Sequence, residues 1–432
     1  MKIVQITPGS GDNFYCENCL RDIALVKAMR KLGHDVLMVP LYLPLQIDNV
    51  ESSANTPVFF GGINVYLQQK FALFRRTPRW VDRLLDSRRL LAWAARKAGM
   101  TSARELGDAT ISMLQGEHGR QVKELDRLVD WLCANGQKPD IVCLSNVLLA
   151  GLARRIRERL HVPVVCLLQD EDGFLDGLTV PHAEQAWGVV RERIRDIDAF
   201  LAVSKYFAEA MRGRLAVHED RMHVARMGVD LDEYAPADNY PPVPTVGYLS
   251  RMCPNRGLET LVDAFIILKR NSRLTSAKLR VCGGKSGNDA PFVERLTAKL
   301  TAAGVCDDVE FLEAFDRSSR HEFLKSLSVL SVPEPQPVAY GLYVLEALAA
   351  GVPVVEPAIG SFPETIALTG GGVLYEPNTA EKLAETIEPL LLDPQAARRL
   401  GAEGRAGMLE AFSIERTAAE MIRIYEQVGR KS

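Results

Sequence analysis

Seven histidines in 432 residues are few, and none has a metal-ligand spacing such as H-E-x-x-H. The single C-x-x-C pair, Cys16 and Cys19, has no second pair and no suitably spaced His, which excludes a structural zinc. A redox role for the pair stays open beside plain packing of two thiols where a loop becomes a helix. Most other cysteines stand in strand-like contexts, "IVCLSN", "VVCLLQ" and "LRVCGG". That is the pattern of buried, reduced thiols and not of a disulfide framework. A net charge of -3 gives the chain as a whole no pull on nucleic acid. No apolar run is long enough to span a membrane, and strand-like "KIVQI" follows Met1 with no signal peptide ahead of it. The expectation is a reduced, cytoplasmic protein.

What is present is a β/α alternation, twice over. "KIVQITP", the turn-rich "GSGDN", a run with Leu20, Ala24, Leu25, Ala28 and Met29 at helical spacing, and "GHDVLMVPLY" read as strand, loop, helix and strand. Such a start predicts a right-handed βαβ unit of a doubly wound sheet. Residues 51–135 break the pattern and read as a helical insertion. The alternation resumes with "PDIVCLSN", "VPVVCLLQD" and "DAFLAVS". The Pro-rich "YAPADNYPPVP" has the composition of a linker. A second series follows: "TVGYLS", "KLRVCGG", "DVEFLEAF", "SVLSVP", "VPVVEP" and "GGVLYEP". The predicted architecture is α/β, with two Rossmann-like domains facing each other across a cleft. Residues 1–238 form the first, 239–413 the second, and 414–432 a helix packing back on the first.

The stretch "PVAYGLYVLEALAAGVPVVEP" holds the most chemistry. Gly341 opens a helix that Gly351 and Pro353 end. Backbone N–H groups at Gly341 and Leu342, aided by the helix dipole, offer an anion site. Glu346, just over a turn further in, can accept bonds from two neighbouring hydroxyls. Diphosphate on the helix start and ribose on Glu346 would suit a nucleotide sugar. A solvated Glu on a helix surface is the plain alternative. Two other glycine-rich stretches fail as nucleotide fingerprints. Phe14 stands where "PGSGDNF" would need a third Gly, and Leu279 where "CGGKSG" would need its first.

Several pieces in order resemble the retaining glycosyltransferases of family 4, which have the GT-B fold. They are "TPGSGDNFYCENCLRD", "AVSKYF", "VARMGVDLDEY", "LSRMCPNRGLETLVDAF" and "AYGLYVLEALAAGVPVVEP", spread over nearly the whole chain. The resemblance implies transfer of a sugar from a nucleoside diphosphate sugar to a hydroxyl acceptor, glycan or lipid-linked, with no cofactor and no metal. It implies front-face attack, the leaving phosphate taking the proton, and no protein nucleophile. Arg251 and Arg256 match a basic pair that neutralises the diphosphate; the second is often Lys in relatives. Gly9 and Gly11 match a loop that approaches the same diphosphate. The family places two Glu residues with seven residues between them. The second maps to Glu346 and ribose, so Glu346→Ala should abolish donor binding with the fold intact. The first, which contacts the transferred sugar, maps to Val338. Glu334, four residues earlier, is a candidate substitute. Gln169 falls where many relatives carry a His.

Gln169, Glu171 and Asp172 are acceptor-side candidates. Asp170 and Asp172 also spell a D-x-D, a weak signal for Mn²⁺ beside a cationic pair, and simple solvation of the loop is a third reading. Rival functions are a weakly active sugar-nucleotide-binding protein, favoured by Val338 and Gln169, and a sugar-nucleotide epimerase. The run from Lys70 to Lys97 carries nine Lys or Arg, two Asp and the aromatics Phe71, Phe74, Trp80 and Trp93. It reads either as a solvated helical face or as a peripheral contact with an anionic membrane.

Overall fold

The computed structural model describes residues 1–8, 17–41, 59–60, 67–69, 71, 77, 103–134, 138–237, 240–285, 287–312 and 316–431. Gly9, Gly11, Phe14 and Cys16 lie outside the described residues, as does nearly all of the Lys70–Lys97 run. The described part of the expected insertion from Ala103 on is helical, Ala103–Leu114 and Val122–Ala134.

The chain divides into two compact units. The first holds Asn18–Ala225 with the start of the chain and its end from Ala418; the second holds Arg226–Thr417. The division thus falls at 225/226, ahead of the Pro-rich stretch that composition marks as the linker.

In the first unit the strands are β1 (Lys2–Thr7), β2 (Asp35–Pro40), β3 (Ile141–Leu144), β4 (Val164–Leu168), β5 (Ala199–Ala202) and β6 (Met222–Val224). They form one parallel sheet in the order β2-β1-β3-β4-β5-β6. The interior strands β3, β4 and β5 are apolar runs with no alternation, "IVCL", "VVCLL" and "AFLA", and every residue in them is buried. Helices covering both faces require this of a parallel sheet.

The second unit has β7 (Thr245–Leu249), β8 (Lys278–Cys282), β9 (Val309–Leu312), β10 (Val329–Leu330), β11 (Val354–Pro357) and β12 (Gly372–Tyr375). Its order, β12-β11-β10-β7-β8-β9, is again parallel. Each sheet reverses its winding once, between β1 and β3 in the first and between β7 and β10 in the second. Loops leaving two such strands diverge and leave a crevice beyond their carboxyl ends, where doubly wound sheets bind ligands. The residues after β7 are "SRMCPNRG", and those after β10 are "SVPEPQPVAYG". The fold therefore brings together the segments carrying Arg251, Arg256, Glu334, Val338 and Gly341. Among the described residues no helix is long and apolar enough to cross a membrane.

Candidate functional site

The two loops at the β7/β10 reversal touch closely. Gly257 has φ +69, and a Cβ there would lie 2.0 Å from the Pro333 carbonyl oxygen, so only glycine lets them meet. The buried Tyr248, near the end of β7, donates its hydroxyl to the carbonyls of Arg251 (3.1 Å) and Arg256 (2.9 Å). One phenol thus fixes the backbone of both predicted cations. Sequence reasoning passed over Tyr248; a lone Tyr in a strand gives no signal of it.

Each arginine is also tied to a buried acid. Arg251 donates through Nε (3.0 Å) and Nη2 (3.2 Å) to Asp289. Arg256 Nη1 donates to Glu334 Oε1 at 3.0 Å, and the Tyr343 hydroxyl donates to the same oxygen at 3.1 Å. The acids are nearly inaccessible, but the arginine side chains keep 37% and 35% of their surface exposed. Each guanidinium is oriented from behind and still meets solvent. Glu334, the candidate substitute for the missing sugar-contacting acid, is committed to Arg256 and Tyr343. Its carbonyl accepts from Asn378 Nδ2 at 2.8 Å, which pins the loop further.

Val338 is buried. Its carbonyl accepts from Ser361 N at 3.1 Å, and Gly360, at φ +58, would put a Cβ 2.6 Å from Val338 N. Glu356, the penultimate residue of β11, is fully buried and accepts from Val332 N. Burial pushes its carboxyl well above the usual carboxylate range.

The helix Leu342–Ala349 follows, and all eight of its residues are buried. Glu346 is no solvated surface acid: it is 1% exposed. Tyr234 donates its hydroxyl to Glu346 Oε1 at 2.5 Å, and Arg320 Nε stands 3.5 Å from the same oxygen. A phenol and a guanidinium answer the cost of burying the carboxylate. Burial, and then the charge of Glu346, raise the Tyr234 pKa well above its ordinary value. Arg405 donates to the carbonyls of Tyr234 and Ala349, so the phenol is held at its backbone too. Arg226 Nε donates to Glu364 Oε1 at 2.8 Å, on the next helix, Phe362–Thr369.

In the first unit Gln169 follows β4 directly. Its Nε2 donates to the Ser145 carbonyl at 2.6 Å, and its backbone N–H donates to Glu171 Oε2. Glu171 is buried and points back along the chain; Asp172 is half-buried. Burial pushes the Glu171 pKa up to about 8 and also raises that of Asp172. An acid raised from 4.5 to about 8 on folding contributes stability that is complete below pH 4.5 and lost as pH rises through about 8. Glu171→Gln should therefore flatten the melting-temperature profile across that window. A profile as steep as the parent's would show that Glu171 does not titrate there. Among the described residues no group of three His, Cys, Asp or Glu side chains is placed to hold a metal ion.

Residues 236–407 match the family model for glycosyl transferases group 1, and residues 108–233 match the model for glycosyltransferase family 4. The chain belongs to the GT-B glycosyltransferases of the family 4 type. This glycosyltransferase is 28% identical over 326 residues to the alpha-maltose-1-phosphate synthase of Mycolicibacterium smegmatis, covering 68% of this chain and 81% of that protein. It is 32% identical over 186 residues to a GDP-mannose-dependent alpha-(1-6)-phosphatidylinositol monomannoside mannosyltransferase of Mycobacterium tuberculosis, covering 41% of this chain and 46% of that one. The solved sucrose-phosphate synthase of Thermosynechococcus elongatus superposes with a TM-score of 0.72 at 18% identity over the full length of both. Anabaena HepE in complex with UDP-glucose gives 0.66 at 16%, covering 100% of this chain and 99% of that one. At such identities the two structures speak for the fold of the glycosyltransferase alone.

Proposed function

We propose that this glycosyltransferase moves a sugar from a nucleoside diphosphate sugar to a hydroxyl acceptor, with retention at the anomeric carbon and without a metal. The observation that carries the reading is the pair of anchored, half-open arginines at the β7/β10 reversal. When the sugar leaves, charge grows on the bridging oxygen of the diphosphate, and cations fixed beforehand meet it without reorganising. Asp289, Glu334 and Tyr248 supply that fixing. Gly341 and Leu342 would add backbone donors, and Glu346 would take the ribose. Anabaena HepE, solved in complexes with UDP and with UDP-glucose, supports a nucleotide sugar as donor. A thermal-shift panel of nucleoside diphosphates and their sugars tests the proposal. No shift with any of them would overturn it.

Val338 favours a second reading, that turnover is slow. A valine cannot accept a hydroxyl's hydrogen bond, and Glu334 is engaged elsewhere. A charged hydrogen bond is worth roughly 1.5–3 kcal/mol. Val338→Glu should therefore raise transfer or donor hydrolysis by roughly tenfold or more. Free nucleoside diphosphate should bind the parent about as well as the matching nucleotide sugar. A parent that already turns over a donor quickly, and slows on Val338→Glu, would mean the loop serves a different sugar.

A further inference from the structure

The predicted donor loops leave the carboxyl ends of the second sheet, and a separate cavity of about 390 Å³ opens at the amino ends. Its lining includes Leu327, ahead of β10, and Val352 and Pro353, ahead of β11. The length of the strands, on the order of 10–15 Å, separates it from the crevice. Its other walls come from the Pro-rich stretch, through Pro236 and Tyr240, and from the helix Pro394–Ala411. A Cβ on Gly401 would lie 2.0 Å from the Gly351 carbonyl oxygen, so that helix rests directly on the turn before β11. Arg398, Ala402, Arg405 and Leu409 recur along it at i, i+4, i+7 and i+11 and line the cavity from one face. Arg398 and Arg405 stand two turns apart, about 10 Å along the axis, and the small Ala402 leaves room between them.

The charge here is of one sign. Lys325, Arg398 and Arg405 line the cavity, and among the described residues no Asp or Glu does. Arg405 uses Nη1 on the carbonyls of Tyr234 and Ala349, which leaves its Nε and Nη2 edge without a bond. Burial lowers its pKa, and no acid offsets that. Arg398 makes no hydrogen bond or ion pair among the described residues. Lys325 meets Glu322, itself largely exposed, at 3.5 Å. An adjoining cavity of about 570 Å³ shares Tyr240, Pro241 and Lys325, and its own cations are matched: Lys278 by Asp308 and Arg280 by Glu310, both at 2.7 Å. On one side of Tyr240 the fold supplies counter-charges, and on the other it leaves them to a ligand.

We propose that the smaller cavity binds a phosphate monoester with an apolar body, at a site separate from the donor site. Two guanidinium forks and an ammonium suit a compact dianion. Pro236, Leu327, Val352 and Pro353 offer carbon surface to the rest of the ligand, and Leu409, 58% exposed, extends it. The volume is that of a small-molecule site.

The test is calorimetry on the full chain saturated with UDP, which fills the donor site. Phenyl phosphate should still bind, roughly tenfold more tightly than inorganic phosphate, and phenol should not bind measurably. Arg398→Glu should weaken phenyl phosphate by about tenfold or more, and Leu409→Ser by about threefold. Both side chains are exposed, so UDP affinity and melting temperature should hold in each variant and show that it folds. If UDP itself does not bind, the transferase reading falls, and Arg256→Ala then takes its place as the block. Phenyl phosphate affinity should stay within about twofold in that variant. Vesicles of phosphatidylcholine with phosphatidic acid distinguish the source of the ester. Binding that Arg398→Glu abolishes would place the ester on a lipid, and no vesicle binding beside phenyl phosphate binding would keep it a soluble molecule. The site falls if phenyl phosphate does not bind the UDP-saturated chain, or if Arg398→Glu binds it as the parent does. Inorganic phosphate binding as tightly as phenyl phosphate would equally overturn the proposal.

Discussion

Glu346→Ala is expected to abolish nucleotide-sugar binding and to destabilise the second unit by about 3 kcal/mol or more. The sequence alone led to a milder expectation, with the fold left intact. The difference lies in Arg320 and Tyr234. Arg320 is 8% exposed in its side chain and faces Glu346 at 3.5 Å. Removing the carboxylate takes a shared partner from a buried guanidinium and a buried phenol, and breaking a buried pair at one end costs about 3–5 kcal/mol. Loss of binding in the single variant would then be ambiguous. A triple change resolves it: Glu346→Leu with Arg320→Met and Tyr234→Phe removes all three polar partners together. Replacing a buried ion pair with apolar groups of similar size is often neutral. The triple variant should melt near the parent and still fail to bind any nucleoside diphosphate in calorimetry. Recovery of nucleotide affinity along with stability would remove Glu346 from the ribose site and leave it a structural acid.

Arg256→Ala should lower kcat/KM by about a hundredfold, the scale seen when one electrostatic contact to a transition state is deleted. Most of the loss should fall on kcat, because the developing charge is greatest as the bond breaks. Arg256→Lys keeps a charge and should recover part of the rate. The alanine variant also leaves Glu334 buried without its cation, so a lowered melting temperature should accompany it. Glu334→Gln separates the two effects. It leaves the charge at Arg256 but loosens its anchor, so diphosphate affinity should hold or rise while kcat falls. EDTA should change none of these rates. Strict Mn²⁺ dependence would shift the weight to Asp170 and Asp172.

The strands of both sheets were largely readable from sequence. Apolar runs bounded by Gly, Pro and Asp mark β1–β5 and β7–β12, because a parallel strand covered on both faces cannot alternate. β6 escaped notice: it is three residues long at the sheet edge, and all three are only half-buried. The order of strands was not in the periodicity, which says what is buried and not what lies beside it. Among site residues, Arg251, Arg256 and Glu346 stood out through the motifs around them. Their partners did not, because pairing spans long stretches of chain: 38 residues to Asp289, 78 to Glu334 and 112 to Tyr234. Glu334 was noticed for its nearness in sequence to Val338, and the fold turned it toward Arg256. Burial was the other blind spot. Glu171 and Glu356 look like ordinary acids on paper, and only the packed environment raises their pKa values.

The bonds from Arg226 to Glu364 and from Tyr234 to Glu346 bear on how such enzymes can be recombined. The Pro-rich stretch is the natural-looking seam for exchanging donor halves between relatives, and the group 1 family match begins close by, at residue 236. A chimera joined there would import a foreign residue opposite Glu346 and another opposite Glu364, and each graft would carry two mismatched contacts in its interior. Joining upstream of Arg226 moves both partners with the helices they hold. Chimeras of the two designs, made with the same donor half, should differ in soluble yield and melting temperature, although the transplanted catalytic loops would be identical.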